Sequence, residues 1–211
     1  MTKVKICGIT NLEDARFALD CGADELGFNF YKKSKRYIAP AAAATIAEQL
    51  SIDTRTVGVF VNEPIETVLD ISRSIGLQGV QLHGDEDRLY VRKLLLNSML
   101  FVIKAFRVAP GFVISSAVNW KANYELFDAF SPHERGGTGR SLDWEELGIA
   151  VQLWFPDSAY LAGGLTPENV RTAIRMVRPY AVDVASGVEC SPGKKDPEKV
   201  AAFIKAAKEA L

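Results

Sequence analysis

The sequence predicts one closed (β/α)8 barrel, a TIM barrel of the α/β class, with residues 1–211 forming a single domain. Three observations carry that expectation. Short β-branched or aromatic runs alternate with longer helical patterns, eight such units can be counted, and the glycine-rich turns fall late in the chain. Eight units in 211 residues give roughly 26 residues each, the size of a repeated strand-and-helix unit. A doubly wound open sheet would instead place a G-x-G-x-x-G turn after its first strand, where this chain has Cys7-Gly8-Ile9-Thr10.

The first strand is expected at 4–9. Asn11 then stands where a helix N-cap belongs, Glu13 and Asp14 fill the first turn, and Cys21-Gly22 supplies the stop. Further strands are expected at 25–30, 56–61, 79–83, 100–106, 124–130, 159–162 and 181–185. Helices are expected between them at 40–50, 64–75, 86–97, 142–153, 167–177 and 197–210, several opening with proline at a first-turn position. The segment 110–120 is read as a helix too, although Pro110-Gly111 opens it and β-branched residues interrupt it.

Hydrophobic residues make up 48% of the chain and charged residues 24%, so a sizeable core can be buried, and disorder, collagen and coiled coil are excluded. Lysine plus arginine is 25 against 26 acids, a net charge of −1, which offers no electrostatic footprint for nucleic acid. Apolar runs such as 57–61 fall far short of the ~20 residues of a spanning helix, and the first residues lack a signal peptide's apolar stretch. A soluble cytoplasmic protein with no membrane partner is expected. Cys7, Cys21 and Cys190 are scattered, with no metal-type pairing, and no group of His, Asp and Glu argues for a metal. Neither a metal nor a cofactor is anticipated.

Alternation along the strands identifies the residues facing the barrel axis. Lys5 and Cys7 alternate with Val4 and Ile6, Gln81 and His83 with Val80 and Leu82, and Asp183 and Ala185 with Val182 and Val184. The aliphatic set belongs under the helices and the polar set inside. Catalytic groups of such barrels sit at the carboxyl ends of strands, where Cys7, His83 and Asp128 fall by this count.

Each candidate also has an ordinary reading. A free cysteine is most often a small buried hydrophobe, but Cys7 is inward-facing at a strand end beside a glycine. Asp128 ends an apolar run; it is either a structural carboxylate or an acid whose proton is held by burial. Gly163-Gly164 and Ser186-Gly187 follow strands seven and eight, the recurrent phosphate site of this barrel, which favours phosphate over plain turns. In the basic run 32–36, mostly a solvated loop, Arg36 is the member best placed to grip a substrate carboxylate through both oxygens. Lys5 and Asp183 are expected to form a buried ion pair, and Gln81 and His83 are either ligands or polar filling. The glycine-rich loop 131–141, with Gly137, reads as a lid, a phosphate contact or a tolerated insertion.

Taken in order, Lys5-Ile6-Cys7-Gly8-Ile9-Thr10, Gly27-Phe28 with Ser34-Lys35-Arg36, Gln81-Leu82-His83-Gly84, Asp128 with Gly136-Gly137-Thr138-Gly139, Leu161-Ala162-Gly163-Gly164-Leu165, and 183–189 with 192–196 resemble the phosphoribosylanthranilate isomerase family. Ala185, where the family often has serine, and a slightly long lid are the departures. The resemblance implies a cofactor-free Amadori rearrangement of a phosphosugar in tryptophan biosynthesis. It further implies Asp128 as acid, Cys7 as base, Arg36 on the anthranilate carboxylate, and Gly163, Gly164, Ser186 and Gly187 on the phosphate. Monomer and homodimer are both compatible with it. The rival enzyme readings fare worse: a metal-dependent epimerase needs more acids and histidines at strand ends, and a synthase of the indole-glycerol-phosphate type needs glutamate partners for Lys104. A non-catalytic phosphosugar-binding barrel could keep the glycines but has no need of Cys7 and Asp128.

Overall fold

The computed structural model describes residues 1–109, 111–129 and 144–211. Eight parallel strands close into a barrel in sequence order: β1 (Lys3–Cys7), β2 (Glu25–Asn29), β3 (Arg55–Phe60), β4 (Gly79–Leu82), β5 (Phe101–Val108), β6 (Tyr124–Ala129), β7 (Ala159–Ala162) and β8 (Ala181–Val184). Around it lie α1 (Leu12–Asp20), α2 (Pro40–Ala47), α3 (Ile65–Ile75), α4 (Arg88–Leu96), α5 (Trp144–Trp154), α6 (Val170–Val177) and α7 (Pro197–Lys208). The Asn11 side chain accepts from the Asp14 amide at 2.8 Å, so α1 starts where the N-cap pattern put it. None of the described helices is long and apolar enough to cross a membrane.

The segment 110–120 corrects the helix expected there. Gly111 has φ +89°, Val113 is extended, and only a single 3-10 turn forms at Ile114–Ala117 before the chain extends again at Val118. The turn serves instead to bring Trp120 edge-on to Phe106, with ring centroids 5.3 Å apart. One more difference lies beyond β8: the chain forms a small antiparallel hairpin, β9 (Glu189–Ser191) with β10 (Lys194–Lys195), before α7 begins.

The two strand faces separate as alternation requires. Val4, Ile6, Leu26, Val80, Leu82, Val182 and Val184 are buried in one cluster with the helices' apolar faces. Val57, Ile103, Ala105, Leu126, Tyr160, Ala162 and Ala181 form a second cluster. Closure leaves no strand edge and buries nearly every strand residue, each large aliphatic side chain contributing about 1.5–3 kcal/mol.

The polar residues sort by height along the axis. Near the amino ends, Tyr160 donates to Glu25, with O···O distances of 2.9 and 3.0 Å, and Arg55 lies 3.3 Å from the same carboxylate. One layer up, Lys5 pairs in register with Glu25 on β2 and with Asp183 on β8. Its fully buried ammonium donates to Asp183 at 3.0 Å and to the Gln81 carbonyl at 2.8 Å. Burial opposes that charge most strongly, but Asp183, Cys7 and Glu25 together outweigh burial and raise the Lys5 pKa. Removing one member of such a pair leaves a buried charge unmatched. Lys5→Met should therefore lower stability by about 3–5 kcal/mol, with Lys5→Met/Asp183→Leu recovering most of the loss. Urea unfolding checks this, and a single-variant loss below about 1 kcal/mol would contradict the buried pair.

Candidate active site

Cys7 ends β1 and is buried at the carboxyl rim, 8% exposed. Its register partner on β2 is Gly27, where an added Cβ would lie 2.7 Å from the Cys7 Sγ. The glycine therefore makes the room the thiol occupies. Burial pushes the Cys7 thiol up from its ordinary value, while the cationic Lys5 and Lys195 pull against that. Gly8, next along, has φ +78°, and an added Cβ there would lie 2.8 Å from Arg36 Cδ. Arg36 thus lies across the residue that follows Cys7. It is held there by the turn after β2, where its amide donates to Ser34 Oγ at 3.1 Å and Ile38 bonds back to Asn29.

Asp128, inward on β6, is in contact with His83 at the end of β4, 3.3 Å from Oδ2 to Nε2. On its other side the His83 Nδ1 lies 2.9 Å from Gln81 Nε2. The direction of this chain is fixed from its far end. Because the Gln81 carbonyl accepts from Lys5, its amide nitrogen faces His83 as a donor, so Nδ1 accepts and Nε2 carries the proton offered to Asp128. Lys5, Gln81 and His83, read from strand alternation, and Asp128, read from its place at a strand end, form one hydrogen-bonded line from the barrel centre to its rim.

The two glycine-bearing loops meet on the same rim. Gly163 and Gly164 have φ of +86° and +64°, conformations that favour glycine. At Gly187 any Cβ would overlap the Leu165 carbonyl oxygen, so the turn after β8 lies directly against the turn after β7. Gly164 and Ser186 are exposed above this junction. Asn169 ties the first loop down, accepting from Thr166 at 2.8 Å and donating to the Gly164 carbonyl at 2.9 Å. Gly137 and loop 131–141 lie outside the described residues.

Two residues with no assigned role in the sequence reading join this site. Glu189 accepts from Arg36 Nε at 2.8 Å and Nη2 at 2.7 Å, and Lys195 donates to the Cys7 carbonyl at 2.6 Å and to Glu189 at 3.2 Å. A strand-and-helix count cannot find them, since they sit on the hairpin inserted before α7. The closeness of opposite charges after strand eight was the available signal. Lys104 lies elsewhere: it projects from β5 to Glu86 at 2.8 Å and to the Gly84 carbonyl, and that ion pair occupies the lysine a synthase would use as acid. Among the described residues no group of His, Cys, Asp and Glu could hold a metal ion.

Comparison with known proteins covers the whole chain. Residues 4–206 match the family model for N-(5'phosphoribosyl)anthranilate (PRA) isomerase. The chain is 51% identical over 211 residues to the N-(5'-phosphoribosyl)anthranilate isomerase of Trichlorobacter lovleyi, covering 100% of both. It is similar to the crystal structure of phosphoribosyl anthranilate isomerase from Thermotoga maritima, with TM-score 0.89, 47% identity and 99% of each chain covered. A second solved phosphoribosyl anthranilate isomerase, in complex with reduced 1-(o-carboxyphenylamino)-1-deoxyribulose 5-phosphate, matches with TM-score 0.87 and 45% identity over 99% of each chain. A family match running from β1 into α7, and a relative half identical along its whole length, establish that the chain belongs to the N-(5'-phosphoribosyl)anthranilate isomerase family.

Proposed function

We propose that this chain catalyses the Amadori rearrangement of N-(5-phosphoribosyl)anthranilate to 1-(o-carboxyphenylamino)-1-deoxyribulose 5-phosphate in tryptophan biosynthesis. The observation that carries the reading is the Lys5-Gln81-His83-Asp128 line, which delivers an oriented carboxyl group to the rim that also holds the Cys7 thiol. The family match and the relative holding the reduced product support the same reaction. Loss of hydrogen from C2 and its gain at C1 balance within one molecule, so the conversion is redox-neutral and requires no electron carrier.

Asp128, oriented by His83 Nε2–H on one oxygen, protonates the furanose ring oxygen with the other. The C1–O bond breaks as the nitrogen lone pair forms the C1=N bond, leaving a cationic iminium. Cys7, as thiolate, then removes the C2 proton, and the electron pair moves to give a neutral enolamine that tautomerises to the aminoketose. Burial favours the neutral thiol, and the iminium adds the positive charge that favours thiolate as the reaction proceeds. Arg36 takes the anthranilate carboxylate. Gly163, Gly164, Ser186 and Gly187 take the phosphate, whose charge suits backbone amides at the opening of two loops. The cytoplasm suits a catalyst whose thiol has to stay reduced, and all three cysteines are free.

The test follows the fluorescence of N-(5-phosphoribosyl)anthranilate made in situ. Wild type should consume it rapidly, while Cys7→Ser and Asp128→Asn should each lose at least about 10²–10⁴-fold in kcat, the range expected for a general acid or base. Folded protein without turnover would remove the assignment. Gly27→Ala should be selectively damaging as well. Its Cβ, 2.7 Å from Cys7 Sγ and 3.1 Å from Cys7 Cα, displaces the thiol, and kcat should fall by roughly 10²-fold with little change in affinity for the phosphate-bearing product. Stopped-flow turnover set beside calorimetric binding separates the two effects.

A further inference from the structure

The contact between Arg36 and Glu189 raises a chemical question. The residue read as the grip for a substrate carboxylate already holds a carboxylate of its own chain, at 2.8 and 2.7 Å. A guanidinium has five N–H donors, of which Glu189 engages one on Nε and one on Nη2. These lie on the side edge of the fork. The end edge, with one N–H of Nη1 and the remaining one of Nη2, is unengaged among the described residues and open to a second planar carboxylate.

Charge permits a second anion as well. Glu189 lies between two cations, Arg36 at 2.7 Å and Lys195 at 3.2 Å, so the cluster carries one surplus positive charge. Burial alone would raise the Glu189 pKa, but Arg36 and Lys195 outweigh it and hold the carboxyl below its ordinary value, so the group is ionised at neutral pH. The rest of the hairpin is tied firmly into the barrel. Lys195 Nζ donates to the carbonyls of Cys7 at 2.6 Å and Ala185 at 3.2 Å, and the Lys195 amide donates to Asp14 on α1 at 2.8 Å. The Gly193 amide donates to Glu189 at 3.3 Å, and the Thr10 hydroxyl donates to the Gly193 carbonyl. On the opposite side, the Arg36 stem lies against Gly8. A long flexible side chain on a surface loop is thereby clamped between the residue after Cys7 and a buried carboxylate fixed to the ends of β1 and β8.

We propose that Glu189 is a positioning residue for substrate recognition: through its two hydrogen bonds to the side edge of Arg36 it aims the free end edge of the guanidinium at the aryl carboxylate, in fixed relation to Cys7. The proposal rests on the reading of Arg36 as the carboxylate grip. It makes the β9–β10 hairpin, which a plain eight-unit barrel lacks, part of the specificity apparatus. Discrimination between aryl amines with and without an ortho carboxylate then depends on a residue that never touches the substrate.

The experiment measures Kd by calorimetry for two ligands, the reduced product analogue and its counterpart made from aniline, which lacks the carboxylate. Arg36→Met should weaken the carboxylate ligand by about 10²-fold and leave the aniline ligand within about twofold, as loss of a charge-assisted bidentate contact requires. Glu189→Gln should give the same selectivity at about tenfold, raise KM while holding kcat within about threefold, and add almost nothing to Arg36→Met in the double variant, because both act on one contact. Equal weakening of both ligands by Glu189→Gln, or additive losses in the double variant, would overturn the proposal by showing a merely structural role. If Arg36→Met weakens both ligands equally, the grip reading of Arg36 itself fails and the proposal with it; selectivity in Arg36→Met without selectivity in Glu189→Gln sinks the proposal alone. Should Glu189→Gln fail to fold by circular dichroism, Glu189→Asp carries the same comparison: it keeps the charge beside Lys195 and withdraws the fork from Arg36, so the loss should again fall on the carboxylate ligand only.

Discussion

A single ammonium group at the centre of the barrel organises the site above it. Lys5 is fully buried, lies in register with acids on both neighbouring strands, and is matched by Asp183 at 3.0 Å. A charge in that position is tolerable only when it is paired and hydrogen-bonded, and beside Asp183 the ammonium donates to Gln81. This fixes which way the Gln81 amide points, then which nitrogen of His83 carries hydrogen, and finally which oxygen of Asp128 is occupied from within the protein. The proton chemistry proposed at the rim is thus oriented by an ion pair that substrate never meets.

Close approach is the second constraint. Gly27 leaves space for a sulfur atom, Gly8 for the stem of Arg36, and Gly187 for the carbonyl of Leu165. Each is a place where one methyl group would separate parts that have to touch. These contacts join elements far apart in the chain: β1 to β2, the loop after β2 to β1, and the loop after β8 to the loop after β7. The site is consequently built from the carboxyl ends of several strands, as expected where a barrel of packed side chains forms the floor and loops supply recognition. Rigid strands carry Cys7 and Asp128, whereas the parts proposed to bind carboxylate and phosphate belong to the loops, which can vary in length without disturbing the floor.

Much of this is legible in the sequence. Alternation at Lys5/Cys7, Gln81/His83 and Asp183 separates the axis from the helix side, because strand side chains change face at every residue and only one face of a barrel strand is covered by helices. Asn11 marks the start of α1 through the local rule that an N-cap oxygen satisfies a free amide. The segment 110–120 departs from the expected helix because the apolar pattern there serves packing: Phe112 and Trp120 lie against Phe106, and Gly111 with extended residues on both sides of Ile114–Ala117 stops any helix from growing. Tertiary packing overrode a pattern that was too short and too β-branched to nucleate a helix by itself.

What the sequence determined alone was the alternation of elements, the number of strands, the parity of each inward residue and the family to which those motifs belong. All of these are properties of short stretches, set by side-chain spacing and backbone preference. Beyond the Lys5–Asp183 pair that inward parity anticipates, only the tertiary structure decided which inward residues pair with which. The Gln81 link between Lys5 and His83 spans strands 76 residues apart at one end, and Glu189 reaches Arg36 across 153 residues. Hydrogen bonds of 2.7–3.3 Å depend on strand register and loop closure, which arise from the barrel closing on itself, and no local pattern encodes them.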